Sequence, residues 1–207
     1  SGDAKGSKEE VIFVEGNQKR LKRMTIHSHF PYLYFTIIKL LLKPLTDPIE
    51  LSTRKKIEWM SRLLVRANNA GKHGEIPVAA VVLDQNGRCI GHGSNRREFD
   101  SDPLGHAELI ALSQAALIKN DWRFNECTLI VNLEPCPMCA GAIVQARVGQ
   151  VIFGARDPKR GALGGTIDLS NHKSSHHRMI VHGGVLESQA QKAIKMWFKE
   201  QRAIKNN

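Results

Sequence analysis

The stretch TLIVNLEPCPMCAGAIVQARVGQVIFG, Thr128 to Gly154, decides the fold. Thr128 to Asn132 is a short apolar run read as a buried strand, and Val151 to Gly154 is another. Between them Pro135 is well placed to open a helix, because its missing N–H is not needed at a first helical position. That helix is expected to run to about Arg147. Strand and helix alternate here, which argues for a layered α/β domain with a partly parallel sheet.

Working outward toward the N-terminus, residues from His106 to about Lys119 read as a helix whose Leu109, Ala111, Leu112 and Ala116 can face a sheet. A polar loop, Asn95 to Gly105, precedes it. Before that, Val78 to Leu83 is a buried strand turning at Gln85-Asn86-Gly87 into a second strand, Arg88 to Ser94, an antiparallel hairpin. Ile57, Met60, Leu63, Leu64 and Ala67 recur at helical spacing, so a helix spans about 54 to 70, with Ser52 and Thr53 as caps. Toward the C-terminus, a loop rich in Gly and basic residues leads to a last strand, Met179 to Val181, and a final helix from about Glu187 to Ala203. No internal repeat is present.

Residues 1 to 53 form an extension of unknown role, and 54 to 207 the regular domain. The chain opens Ser-Gly, and Met24 follows the cluster Lys19, Arg20, Lys22, Arg23, so residues 1 to 23 could be a tag remnant or a processed leader. The first 20 residues carry Asp3, Glu9, Glu10 and Glu15, which disfavours a secretory signal. The most apolar stretch, Leu33 to Leu45, is broken by Lys39, Lys43 and Pro44, too short and too charged to span a membrane. The expected compartment is the cytoplasm, or an organelle if the extension is a targeting segment.

Lys and Arg number 30 against 20 Asp and Glu, a formal charge of +10. Such a balance suits a polyanionic partner, although a basic soluble surface would give the same count. Four cysteines in 207 residues are too few for a disulfide scaffold, so the pair Cys136 and Cys139 reads as metal or redox chemistry in a reducing compartment. Cys89 and Cys127 read as buried packing. His172, His176 and His177 read as a polar loop rather than a second metal site.

Cys136 and Cys139 project to nearly one side of their helix start, where the helix dipole favours the thiolate form that binds metal. His106, at the start of the preceding helix, supplies a third ligand. Three protein ligands leave a fourth position at which a zinc ion can acidify water, the mark of a catalytic site; structural zinc sites usually fill all four positions. Glu108, two residues beyond His106, is the proton carrier: it can take a proton from water, pass it to a ring nitrogen and protonate a departing amine. His-x-Glu followed by Pro-Cys-x-x-Cys is the known signature of zinc deaminases acting on cytosine or adenine. A thioredoxin-like redox site would need neither His106 nor Glu108 in this arrangement.

From about Ile57 to Arg202 the chain resembles the bacterial-type tRNA-specific adenosine deaminases. The resemblance is carried by Gly74-Glu75-Ile76-Pro77-Val78, Ser94-Asn95-Arg96, Gly105-His106-Ala107-Glu108, Asn132 to Ala142 and Phe153-Gly154-Ala155-Arg156-Asp157. It implies a three-layer α/β/α cytidine deaminase-like fold with a mixed, mostly five-stranded sheet, and a homodimer. It implies conversion of adenosine to inosine at the wobble position of a tRNA anticodon, with one zinc per subunit on His106, Cys136 and Cys139, and Glu108 shuttling protons. The implied substrate-binding residues are Asn95, on the target base, Ile76 and Pro77 as pocket wall, Ala107, and Arg156 and Asp157 near the anticodon loop. Lys159, Arg160 and the last helix could meet phosphates, while Trp197 or Phe198 could stack on a base or pack in the core. Two other readings stay open: a deaminase of a free base or nucleoside such as guanine or cytosine, and a nucleic-acid-binding module with structural zinc.

Overall fold

The computed structural model describes residues 9–15, 20–26 and 47–205. Its chain divides into two units, Ser1–Pro44 and Leu45–Asn207. In the first, β1 (Glu9–Glu15) and β2 (Arg20–Ile26) pair antiparallel with Glu9 opposite Ile26, two strands the sequence reading did not assign. The apolar stretch Leu33 to Leu45 lies outside the described residues.

The second unit begins with α1 (Thr53–Lys72), whose first turn is capped as expected by Ser52, its hydroxyl accepting the Lys55 N–H at 3.3 Å. The helix buries Met60, Leu63 and Ala67, but Ile57 stays 42% exposed. The hairpin follows: β3 (Ala79–Leu83) and β4 (Cys89–Ser94), turned by Asp84, whose Oδ1 accepts the N–H groups of Asn86 at 2.9 Å and Arg88 at 2.8 Å. The loop expected to be irregular contains a single helical turn, α2 (Arg97–Asp100). Then come α3 (Ala107–Lys119), β5 (Thr128–Leu133), α4 (Pro137–Gln145), β6 (Gln150–Ala155), β7 (Ile180–His182) and α5 (Glu187–Lys205).

Helix α4 opens two residues later than the sequence reading placed it. Pro137 follows Pro135, and its ring excludes helical backbone from the preceding residue. Cys136 is accordingly extended, at φ −71° and ψ 171°, and Pro137 takes the first helical position.

The sheet runs β4-β3-β5-β6-β7; β3 is antiparallel to both of its neighbours, β4 and β5, and β5, β6 and β7 are parallel. It is therefore mixed and five-stranded, with helices on both faces. All five residues of β3 are buried, and they alternate between two cores. Ala80 and Val82 join Leu129, Val131 and Phe153 beneath α3 and α4, whereas Ala79, Val81 and Leu83 join Ile130, Ile152 and the α1 residues Met60 and Leu63. A strand buried on both faces reads as a continuous apolar run, which is how β3 and β5 appear in the sequence. Helix α3 lies close on β4 because Gly93 has no side chain there; a Cβ at that position would strike the Ala107 carbonyl. Among the described residues no helix is long and apolar enough to cross a membrane.

One polar side chain locks the start of β3 to the end of β5. Asn132 is fully buried; its Oδ1 accepts the Ala79 N–H at 2.8 Å and its Nδ2 donates to the Pro77 carbonyl at 2.9 Å. Asn132→Ala strands that amide and that carbonyl in the interior. At about 1–3 kcal/mol for each unsatisfied group, the loss is expected to total roughly 2–6 kcal/mol. A fall in the urea midpoint at unchanged slope checks it; a shift too small for even one stranded group would contradict this account of Asn132.

Candidate metal centre

Two helix N-termini meet at one place, and neither is capped by its own side chain. His106 is the N-cap of α3 and Cys136 the N-cap of α4, both with extended backbone, and neither side chain hydrogen-bonds back to its helix. Ser, Thr, Asp or Asn would normally fill such positions and turn inward. Here the side chains turn toward each other instead. His106 Nδ1 lies 3.7 Å from Cys136 Sγ and 3.4 Å from Cys139 Sγ, and the ligand atoms of all three residues fall within 4.8 Å of one another.

Those separations can be tested against a metal. With Zn–S of about 2.3 Å and Zn–N of about 2.0–2.1 Å, a tetrahedral centre has sulfur–nitrogen edges of about 3.6 Å. The observed edges bracket that value, and two sulfurs with one imidazole are a donor set suited to zinc. His106, Cys136 and Cys139 could therefore hold the ion with only small adjustment. No further His, Cys, Asp or Glu joins the group among the described residues, so the arrangement offers three ligands and not four.

The electrostatics set one sulfur apart as the thiolate. A hydrogen bond from Cys139 lowers the Cys136 thiol to about 3, and the same shared proton, with burial, raises Cys139. His106 is raised, chiefly by its hydrogen bond with Cys136. Glu108, in the first turn of α3, is buried, and desolvation raises its carboxyl above the usual range. A buried carboxyl two residues beyond the candidate ligand His106, at the same helix start, is the kind of group a proton carrier requires.

The remaining predicted residues are placed as follows. Asn95 is buried, and its Oδ1 accepts the Ala107 N–H at 3.1 Å, which fixes the amide with its Nδ2 free of partners among the described residues. Ala107 is fully buried beneath it, and Pro77 is held through its carbonyl by Asn132. Ile76 is half-buried against the core. Arg156 is exposed, its guanidinium 5.6 Å from the centre of the Phe153 ring. The Asp157 carboxylate is used locally: Oδ1 accepts the N–H groups of Lys159 at 2.9 Å and Arg160 at 3.0 Å, folding a turn that presents those two cations.

Trp197 is committed to packing, since its Nε1 donates to the Gly71 carbonyl at 3.1 Å and its ring lies edge-on to Phe198. Cys127 is buried and its thiol is pushed up to about 12 by desolvation. Cys89, expected to be buried, is exposed, because it stands on β4, an edge strand. His177 Nε2 donates to the Val148 carbonyl at 2.8 Å, and His172 is paired with Ser174.

A cavity of about 460 Å³ opens over the centre, lined by Arg97, Pro103, Lys159, Arg160, Thr166 and Ile167 together with His106, Cys136, Pro137 and Met138. Of these the sequence reading had singled out only the two ligands and the Lys159-Arg160 pair. Arg97 and the 166–167 segment carry no motif, and their membership follows from how two loops fold over the helix starts. Asn95, Ile76, Pro77, Arg156 and Asp157 are not among the lining residues.

Comparison with known proteins agrees with this geometry. The family model for MafB19-like deaminases matches residues 54–199. A tRNA-specific adenosine deaminase of Bacillus subtilis is 38% identical over 147 residues, covering 71% of this chain and 91% of the relative. A tRNA(Ile)-lysidine synthase of Deinococcus deserti is 45% identical over 151 residues, which make up 71% of this chain but 28% of that protein, so the chain spans just over a quarter of the length of that relative. A solved structure from work on A-to-I editing by tRNA:A34 deaminases superposes with a TM-score of 0.63 at 34% identity, covering 66% of this chain and 98% of the other. This chain belongs to the family of the bacterial tRNA-specific adenosine deaminases and has their cytidine deaminase-like fold.

Proposed function

We propose that this protein converts adenosine to inosine by hydrolytic deamination at the wobble position of a tRNA anticodon. The observation that carries the reading is the three-ligand group of His106, Cys136 and Cys139, with the buried Glu108 two residues beyond His106, beside a cavity that His106 and Cys136 line together with Arg97, Lys159 and Arg160. A zinc ion held by those three side chains, one per subunit, supplies the Lewis acidity that makes water a nucleophile near neutral pH. Glu108 takes a proton from the attacking water as the water oxygen bonds to C6 and hands that proton to ring N1; it then takes the remaining proton of the new C6 hydroxyl and delivers it to the exocyclic nitrogen, so that the C6 carbonyl forms as the C6–N bond breaks and ammonia leaves. Burial keeps that exchange out of bulk solvent.

Asn95 orients the base. Its Oδ1 is spent on the Ala107 N–H, so the side chain can only donate through Nδ2 to an acceptor on the purine. Ile76, Pro77 and Ala107 give the base an apolar wall, and a flipped nucleotide needs such a wall to replace lost stacking. Arg156 and Asp157 flank the anticodon loop, Asp157 through the turn that presents Lys159 and Arg160. The cations favour an RNA substrate over a free base, which has no phosphate to neutralise. The site of action is the cytoplasm, or an organelle if residues 1 to 53 direct the chain there.

The protein acts as a homodimer. An open apolar groove along α3 and α4, lined by Leu109, Ile110, Ala116, Trp122 and Ala142, offers the surface for a second copy. Sedimentation of purified protein is expected to give about twice the mass of the 207-residue chain, and Ile110→Arg to shift it to the monomer; a wild-type monomer at micromolar concentration would remove the dimer from this reading.

Glu108→Ala is expected to keep stoichiometric zinc while losing activity by at least about 100-fold, the lower end for a lost proton carrier. Cys136→Ala is expected to lose the metal and some stability with it, because a zinc site couples to folding. Metal analysis beside turnover separates the two, and a Glu108→Ala variant of undiminished rate would take the shuttle away from this residue. The substrate is decided by mass spectrometry: inosine is expected in an anticodon stem-loop bearing adenosine at the wobble position. Rapid turnover of free guanine or cytidine with the stem-loop untouched would show a free-base deaminase instead.

A further inference from the structure

Two buried carboxylates hold segments that line the cavity, and neither has a part in the chemistry above. Glu134 is 2% exposed and Glu75 is 3% exposed. Burying a carboxylate is costly unless its oxygens are met by donors. Here the donors are backbone amides of the two loops that wall the cavity. Glu134 Oε2 accepts the Asp157 N–H at 3.1 Å, and its Oε1 accepts those of Leu163 at 3.1 Å and Gly165 at 2.8 Å. Glu75 Oε1 accepts the N–H groups of Glu98 and Phe99, each at 2.9 Å.

The segments held in this way carry the cations of the rim. Lys159 and Arg160 lie between the amides that Glu134 binds, and Arg97 immediately precedes those that Glu75 binds. Arg97 Nε is buried without a partner among the described residues, a donor left ready for an acceptor. The loop fits Glu134 closely: a side chain at Gly161 or Gly165 would run into the carboxylate. The turn to the metal ligands belongs to the same unit, because Glu134 N–H donates to the Ala155 carbonyl at 2.8 Å and the Pro135 carbonyl accepts the Ala162 N–H at 2.9 Å. Only a carboxylate suits the Glu134 site, where three donors converge; glutamine would turn an NH2 group toward one of them.

We propose that Glu134, together with Glu75, is a positioning residue for substrate binding. Each clamps one segment of the cavity lining by its backbone, so that Lys159 and Arg160 on one segment and Arg97 on another meet phosphodiester groups flanking the target nucleoside. This rests on the RNA reading above and adds to it the groups that hold the binding surface in place. Glu134 and Glu75 touch neither the base nor the metal ligands in this role; they act through the loops.

The test is E134Q and E75A in the full chain. The first arm needs no activity: amide hydrogen exchange at Asp157, Leu163 and Gly165 is expected to quicken about 10-fold or more in E134Q, the scale of one lost charge-assisted bond, with Glu98 and Phe99 unchanged. E75A, which removes the one oxygen that both amides share, is expected to do the reverse. The second arm is kinetic: E134Q should raise KM for the stem-loop about 10-fold while zinc content and kcat hold. In a K159A/R160A background E134Q should then add little, whereas combined with R97A its effect should multiply. Unchanged exchange overturns the clamp. Loss of zinc, a fall in kcat, or full multiplication in the K159A/R160A background makes Glu134 a folding residue only and overturns its role in binding. If E134Q does not fold, G165A, which displaces the loop from the other side, runs the same cycle. A wild-type protein inactive on the stem-loop sinks the RNA reading, while the exchange arm still decides the clamp.

Discussion

The structure depends on two helix starts facing one another without caps. The first turn of any helix leaves amide N–H groups unpaired and concentrates positive potential there. In α3 and α4 the capping positions are occupied by His106 and Cys136, which spend their polar atoms on each other and on Cys139 instead of on their own helices. The cost of two open helix ends is offset by what they stabilise: a thiolate at Cys136 and, once ligated, a metal whose thiolate ligands need that positive potential. The sequence choices around the site serve this convergence. Pro137 forces Cys136 into the extended backbone that aims its sulfur outward, and Gly93 lets α3 lie close on β4 so that its N-terminus reaches the end of the parallel strands.

Around that centre the fold uses buried polar side chains to do what sheet ladders cannot. Asn132 joins the entry of β3 to β5 beyond the last backbone pair, and it holds the Pro77 carbonyl as well. Glu134 and Glu75 treat loop amides as a sheet would treat a neighbouring strand, filling their hydrogen bonds from the side. Loops rich in Gly and Lys have little apolar surface to bury, and self-repelling cations give them no reason to stay in place. Three N–H groups directed at one buried carboxylate supply that reason. The chemistry of deamination requires a site that is dry at its floor and wet and charged at its mouth, and these anchors let the two environments lie within one short cavity.

Much of this was legible in the chain. Local sequence determined the strands, because β3 and β5 are unbroken apolar runs and Asp84 to Gly87 is a turn by its own chemistry. It also determined the candidate ligands, because two sulfurs three residues apart and a His-x-Glu on a neighbouring helix have few other uses. Residue types at short spacing fix such features, and spacing is what a sequence displays. The start of α4 moved where a neighbour's sterics intervened, at Pro137, and an edge strand left Cys89 in solvent. Only the tertiary structure decided that Arg97 joins Lys159 and Arg160 over the metal ligands, that Trp197 is spent on Gly71, and that Glu75 and Glu134 hold the walls. These contacts join residues 23 to 126 positions apart through backbone amides, and every residue has an amide, so no pattern of side chains announces which ones a buried carboxylate will find.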